Sequence, residues 1–177
     1  MTGGIAVRAA RPGDRAWIDP FLASVNATQV ARRGELMTPT DHPMLIAEMA
    51  GEPIGLATYI VNGAVCELLT LHAVTPWAGA GSALLAAIAD VARATGCRRL
   101  WLVTTNDNVD ALRFYQRRGF RIVAVHPGAV DDARRTLKPG IPEIGEHGIP
   151  LGDEIVMERD LDLRSRSDRP AAPSSGR

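Results

Sequence analysis

Residues 106–120 read NDNVDALRFYQRRGF, and this stretch decides how the rest of the chain is interpreted. Asn108 is of a residue type that caps helix N-termini, and Asp110 places a negative charge where the helix dipole favours it. Gly119 suits the position just beyond a helix C-terminus. The pattern predicts a helix from Asn108 to Arg118.

In the rest of the chain, the spacing of apolar residues distinguishes predicted strands from predicted helices. Alternation and short apolar runs predict strands at residues 5–10, 44–49, 54–61, 65–74, 100–104, 120–125 and 154–161. Helical spacing predicts helices at 14–27, where Pro20 predicts a kink or a break, at 82–96 and near 130–137. Residues 28–43 are expected to form a short helix and a loop. This order predicts an α/β (α+β) fold with a mixed, mostly antiparallel central sheet flanked by helices.

The length of 177 residues suits one domain, which we expect over residues 1–163. Residues 126–152 are rich in Pro and Gly, and the polar tail 164–177 is expected to be disordered. The formal net charge is zero. A neutral chain lacks a general attraction to nucleic acid or to an anionic membrane, so neither is expected as a partner.

The two cysteines, Cys66 and Cys97, have no metal-ligand spacing and lie in apolar runs, so they are interpreted as buried free thiols. Charged residues interrupt the N-terminus where a signal peptide would need an apolar stretch. The apolar stretch Ala83–Ala94 is too short to span a bilayer. A cytoplasmic protein is therefore expected.

Residues 76–82, PWAGAGS, link a predicted strand to a predicted helix. Two glycines separated by one residue let the backbone approach a ligand, and the free N–H groups of the following helix favour a phosphate. A plain strand-to-helix connection explains the same turn. A P-loop needs Lys followed by Ser or Thr after its second glycine, and the dinucleotide fingerprint needs a glycine where Leu84 stands. ATP and NAD are therefore disfavoured.

The order of Asn, Ala, Phe-Tyr and Gly-Phe in residues 106–120 resembles the signature of the GNAT superfamily of N-acetyltransferases. The glycine turn lies upstream at a matching distance. The resemblance covers about residues 5–125 in element order and is most specific at 66–85 and 106–120. The wider stretch, including GEHGIP at 145–150, looks like a bacterial subgroup of that superfamily.

The resemblance implies a seven-stranded mixed sheet that opens between its fourth and fifth strands, with acetyl-CoA as co-substrate in the gap. It implies an N-acetyltransferase that moves the acetyl group directly to an amine of a small molecule or peptide. The implied cofactor-binding residues are Leu71, His72, Ala73 and Val74 through their backbone, Gly79, Ala80, Gly81 and Ser82 through their amides, and Asn108 and Tyr115. The chain departs from the family pattern at Pro76, where Gln or Arg is usual, and in the insertion at 126–152.

Candidate catalytic residues each have a structural alternative. Tyr115 is implied as the proton donor to the departing thiolate, and it could equally be a buried aromatic beside Phe114. Glu67 resembles a general base used by some members, and a solvated or salt-bridged carboxylate explains it as well. His72 could act as a base or be a satisfied core residue.

Acidic residues and a histidine cluster late in the chain, within 143–154. Glu146 and His147 are candidates for binding a cationic amine acceptor, and a polar surface loop is the alternative. No HExxH or comparable spacing is present, so no metal is expected.

Two other functions stay open at this point. A domain that binds acyl-CoA as a sensor without catalysis would share the fold. An acyltransferase could instead use another acyl-CoA or a hydroxyl acceptor. Members of the superfamily are often dimers, so a homodimer is also open, although no feature of the sequence identifies an interface.

Overall fold

The computed structural model describes residues 4–76 and 78–162. The helices are α1 Arg15–Ser24, α2 Ala80–Ala94, α3 Val109–Gln116 and α4 Ala129–Thr136. The strands are β1 Ile5–Ala9, β2 Val30–Arg32, β3 Glu35–Met37, β4 Met44–Met49, β5 Glu52–Asn62, β6 Val65–Ala73, β7 Arg99–Thr105, β8 Arg121–His126 and β9 Glu154–Asp160. None of the helices in these ranges is long and apolar enough to cross a membrane. The predicted disorder at 164–177 lies outside the described residues.

Seven strands form one sheet in the order β1-β4-β5-β6-β7-β9-β8, which confirms the predicted fold class. The pairs are antiparallel except for β6 and β7, which run parallel. Helix α2 packs its apolar side, including Leu84 and Ile88, on one face of the sheet. Helix α1 covers the other face through Ile18 and Leu22.

Gly55 in β5 lets the start of α2 lie close to the sheet. A Cβ atom at this position would be 3.0 Å from the carbonyl oxygen of His72 and 3.1 Å from Cδ1 of Leu84. Both distances are shorter than an ordinary van der Waals contact, so a side chain here would push α2 outward. The close approach brings the first turn of α2 to the end of β6.

The helix predicted within residues 28–43 is wrong. Strands β2 and β3 form a hairpin there, followed by a short 3₁₀ turn at Pro39–Asp41. The hairpin tip, Arg33-Gly34, has φ angles of 50° and 76°, which a helix does not allow. Contacts between the hairpin and distant strands, described below, override the local helical spacing.

Helix α1 runs through Pro20 without the break that was one of its predicted effects. Proline removes the hydrogen bond to the carbonyl group four residues earlier, here that of Ala16. Both residues are exposed, so water can reach the carbonyl that the proline leaves free.

Strands β6 and β7 pair only at their beginnings, through Val65 with Arg99, Cys66 with Leu100 and Glu67 with Trp101. Just beyond, β6 bulges: Thr70 lies opposite Thr58 and Leu68 opposite Tyr59, which leaves Leu69 without a partner on β5. A bulge bends a strand and increases its twist. The two strands therefore part after Glu67, as the family resemblance implies for the fourth and fifth strands of the sheet.

Candidate active site

The gap between β6 and β7 opens into a cavity of about 350 Å³. From the side of α2 and α3, it is lined by Asn108, Ala111 and Tyr115. From the side of α1, it is lined by the segment 25–32 and by residues of α4 and the loop that follows. The cavity thus passes through the sheet, so that two reactants can approach one another from opposite faces.

The edge of β6 that faces the gap carries free main-chain donors. The N–H of Val74 donates to the carbonyl oxygen of Ile54 at 2.9 Å, so it points towards β5. Hydrogen-bonding direction alternates along a strand, so the N–H groups of Leu71 and Ala73 point away from β5 into the gap. Of the four predicted backbone contacts in this strand, these two have the required direction.

The predicted phosphate turn forms the start of α2. Gly79 has a φ of 95° and caps the helix, which begins at Ala80, two residues earlier than predicted. The N–H groups of Ala80, Gly81 and Ser82 therefore belong to the first helical turn, where no intrahelical acceptor is available, and no side chain caps this end. These amides and the helix dipole can bind an anion.

Asn108 caps α3 as predicted, because its side-chain oxygen accepts a hydrogen bond from the N–H of Ala111 at 3.1 Å. The residue also lines the cavity. The cap uses the oxygen of the side-chain amide, which leaves its nitrogen as a donor for a ligand.

Tyr115 is a buried aromatic that also lines the cavity. Its ring packs edge-on against Phe114 and Phe120, with centroids 5.1 Å and 5.4 Å away. Its hydroxyl has no hydrogen-bond partner in the described parts of the chain. In those parts of the chain, every fully buried side-chain oxygen or nitrogen has a hydrogen-bond partner. The Tyr115 hydroxyl has none, so it is not fully buried, and it opens to the cavity that Tyr115 lines. Burial of the ring raises the pKa of Tyr115, which keeps the phenol protonated at neutral pH.

Glu67 lies in the cavity wall, and its carboxylate is held by Arg32. The Nε and Nη2 atoms of Arg32 donate to the two carboxylate oxygens at 2.6 Å and 2.9 Å. Both residues are buried, and Nη1 of Arg32 donates further to Glu35 at 2.5 Å. Burial raises the pKa of Glu67, while the charge of Arg32 opposes that rise. The salt-bridged alternative for Glu67 is therefore what the structure contains.

His72 lies on the same face of β6 as Glu67 and lines the same cavity. Burial lowers the pKa of the imidazole, so it is neutral near pH 7 and can accept a proton. The described residues provide no hydrogen-bond partner for either ring nitrogen.

The β2–β3 hairpin is bonded to strands on both sides of the gap, through Arg32 to Glu67 on β6 and through Arg33 to Glu154 on β9. The N–H of Arg33 donates to both carboxylate oxygens of Glu154, at 3.0 Å and 3.1 Å, and the Arg33 guanidinium lies 5.3 Å from the Trp101 ring centre. Glu154 is buried and lines the cavity. The sequence reasoning missed Arg32 as a cavity residue, because its partner stands 35 positions away.

Glu146 and His147, predicted to bind the acceptor, do not line the cavity. Both are exposed, and Nε2 of His147 lies 3.2 Å from Asp110 on the outer surface of α3. The N–H of Glu146 donates to buried Asp107 at 2.9 Å, and Gly145 leaves no room for a Cβ beside that carboxylate. Asp107 thus ties the loop to the junction of β7 and α3, away from the acceptor side. Ligand atoms of Asp110, Glu146 and His147 lie within 4.8 Å of one another on this surface.

Lys138 is a cavity residue that the sequence reasoning did not single out. Its Nζ donates to the carbonyl oxygens of Asn26 at 2.9 Å and Gln29 at 2.8 Å. Burial lowers the pKa of this amine. The sequence offered one sign of a special role: Lys138 is the sole lysine of the chain and directly follows the helix predicted near 130–137.

The sequence profile of the acetyltransferase (GNAT) family matches residues 14–120. This range covers more than half of the chain and includes the gap, the glycine turn and α3. The chain belongs to the GNAT acetyltransferase family.

The chain is also similar to a Bacillus protein in sequence and to solved acetyltransferase structures in fold. The protein YdhI of Bacillus subtilis (strain 168) is 46% identical over 113 residues, which is 64% of this chain and 70% of YdhI. The structure of an IAA acetyltransferase from Bacillus cereus ATCC 14579 superposes with a TM-score of 0.65 at 22% identity, covering 89% of this chain and 99% of that one. A GNAT acetyltransferase from Elizabethkingia anophelis with acetyl-CoA bound gives 0.63 at 21% identity, covering 88% and 97%.

The GNAT match ends at residue 120, before the elements that complete the acceptor side of the cavity. Helix α4 and the following loop supply Val130, Ala133, Lys138, Ile141 and Leu151 to the wall. Arg134 organises this segment by donating to the carbonyl oxygens of Ile141, Pro142 and Leu151 at 2.7–2.9 Å. The part of the cavity wall formed by residues after 120 is therefore outside the family match.

Proposed function

We propose that the protein is an acetyl-CoA-dependent N-acetyltransferase that transfers the acetyl group directly to an amine of a small molecule or peptide. One observation carries the proposal. The N–H groups of Leu71 and Ala73 and the free hydroxyl of Tyr115 border the same gap between β6 and β7. Acetyl-CoA bound to the related Elizabethkingia enzyme supports the choice of co-substrate.

Acetyl transfer from a thioester to an amine has three chemical requirements that these groups could meet. The N–H groups of Leu71 and Ala73 would polarise the thioester carbonyl and stabilise the oxyanion of the tetrahedral intermediate. The amides of Ala80–Ser82 would bind the diphosphate of CoA. As the C–S bond breaks, Tyr115 would donate its proton to the departing thiolate.

The amine must lose a proton to become a nucleophile, since an alkyl amine is protonated at neutral pH. Glu67 and His72 both line the cavity on the acceptor side. We propose Glu67 as the general base acting through water, with His72 as the competing candidate because its neutral ring has no protein partner in the described residues. Comparing Glu67→Gln with His72→Gln separates them, once circular dichroism shows that Glu67→Gln is folded without its ion pair to Arg32. The variant of the true base loses activity at neutral pH and regains part of it at alkaline pH.

The acceptor would enter from the face of α1. The wall on that side is mainly apolar, and its charged members are Lys138, Arg32, Glu67 and Glu154. Each of these charges is already bonded to protein groups, which favours an acceptor with an apolar body around its amine.

Calorimetry with CoA and a thiol-release assay against a library of amines test the proposal. We expect CoA to bind and at least one amine to accelerate thiol release from acetyl-CoA. Binding of CoA without turnover on any amine would favour a sensor, and faster release from propionyl- or succinyl-CoA would favour another acyl donor. If CoA and acetyl-CoA give no heat at millimolar concentration, the proposal fails.

A further inference from the structure

A second cavity, of about 360 Å³, lies next to the glycine turn and outside the acceptor cavity. Its lining consists of Arg113, Phe114, Arg117 and Arg118, at the end of α3. In a chain with zero formal net charge, Arg117 and Arg118 give this hollow a local positive potential, and Arg113, which pairs with Asp110 at 3.4 Å, lies beside them. Such a hollow fits a group that carries several negative charges.

Contacts between α3 and α2 connect this arginine cluster to the turn. Nη2 of Arg118 donates to Oγ of Ser82 at 2.6 Å, and its guanidinium stacks 3.6 Å from the centre of the Phe114 ring. Cζ of Phe114 in turn lies 3.4 Å from where a Cβ of Gly81 would stand. The cluster is therefore built onto the first turn of α2, whose amides we assign to the diphosphate.

The arginines have different roles in this arrangement. Arg118 is held by Ser82 and by the carbonyl oxygen of Phe114, to which Nη1 donates at 2.9 Å. Arg117 is exposed, and its guanidinium has no partner among residues 4–76 and 78–162. Burial, and then the charge of Arg117, lower the pKa of Arg118, as expected where two cations lie close together.

We propose that the arginine cluster binds the ribose 3′-phosphate of CoA, with Arg117 as its main charge contact. This inference rests on the proposed function. The 3′-phosphate is the charged group beyond the diphosphate, on the side away from the thioester. The face of Phe114 is occupied by Arg118, so the hollow recognises a phosphate rather than the adenine ring. Pro76 replaces the Gln or Arg usual in this turn, and the cluster supplies positive charge from α3 instead.

Calorimetry with CoA and with dephospho-CoA, which lacks only the 3′-phosphate, tests the proposal. Charge-assisted hydrogen bonds to a phosphate predict that the wild type binds CoA about tenfold or more tightly than dephospho-CoA. Arg117→Gln is expected to reduce that ratio to below about threefold, mainly by weakening CoA. Adenosine 3′,5′-bisphosphate is expected to displace CoA better than ADP, and Arg117→Gln should remove that difference.

Arg98→Gln is the matched control, because it also removes one exposed arginine. Arg98 directly precedes β7, at the end of that strand that lies away from the open gap. It should keep the wild-type ratio. Equal affinity of the wild type for CoA and dephospho-CoA overturns the proposal, and so does an Arg117→Gln variant with an unchanged ratio. Absence of binding to both cofactors overturns the proposed function itself, which is a distinct result.

Discussion

The two sides of the gap are built by different means. The side towards α2 and α3 presents main-chain N–H groups and the Tyr115 hydroxyl, and no charged group of the described residues binds them. The side towards α1 is closed by charged side chains that satisfy one another, above all Arg32 with Glu67 and the Arg33 amide with Glu154. On the side of α2 and α3, where we propose that the cofactor binds, hydrogen-bonding groups are therefore available to a ligand. On the side of α1, where we propose that the acceptor binds, the charged groups pair with one another, and losing a pair would lower the free energy of unfolding.

The largest expected effect comes from breaking the buried ion pair on the acceptor side. Arg32→Ala leaves the carboxylate of Glu67 buried without its cation, and removal of one partner of such a pair costs about 3–5 kcal/mol of the free energy of unfolding. Urea denaturation followed by circular dichroism measures this loss. Replacing both residues by Met should recover most of it, because no charge then stays unpaired.

Arg33→Ala is the matched control for that variant. Its guanidinium is exposed near Trp101, while its contact to Glu154 uses the main chain and survives the substitution. A loss of about 1 kcal/mol or less is expected. If Arg32→Ala proves no more harmful than Arg33→Ala, water reaches Glu67 and the acceptor side is not held by this pair.

The next effect concerns catalysis on the cofactor side. Tyr115→Phe keeps the ring contacts with Phe114 and Phe120 but removes the proton donor, so kcat is expected to fall by about a hundredfold or more. No protein hydrogen bond is lost, so the free energy of unfolding should change by less than about 1 kcal/mol. Steady-state kinetics with an accepted amine and thermal unfolding give the two values.

Tyr59→Phe provides the comparison, since Tyr59 is the only other tyrosine and lies in β5 outside the cavity lining. It should retain the wild-type kcat. Turnover of Tyr115→Phe within about threefold of the wild type across the pH range would exclude the acid role.

The same contrast explains what could be predicted from the sequence. The cofactor side depends on local signals, such as the Asn108 cap, the Gly79 turn and the strand pattern of β6, and these were predicted. The acceptor side depends on pairs separated by 35 and 121 positions, Arg32 with Glu67 and Arg33 with Glu154, which no local pattern indicates. Because these pairs hold the β2–β3 hairpin in place, the helix predicted within residues 28–43 was wrong.

The smallest effect concerns the pH dependence of stability, through His72. Burial lowers the pKa of His72 in the folded protein, so below about pH 6.5 the unfolded chain binds a proton that the folded chain resists. The free energy of unfolding therefore falls as the pH decreases through that range, by at most about 1.4 kcal/mol per pH unit for this one group. At pH 8 both states are neutral at this position and the effect is absent.

Urea unfolding of the wild type and His72→Gln between pH 8 and pH 5 measures this contribution as a difference in slope. The variant is expected to lose less stability on acidification, because glutamine does not titrate. If His72→Gln and the wild type share one slope, the imidazole of His72 is solvated in the fold, and water enters the gap from the side of α1.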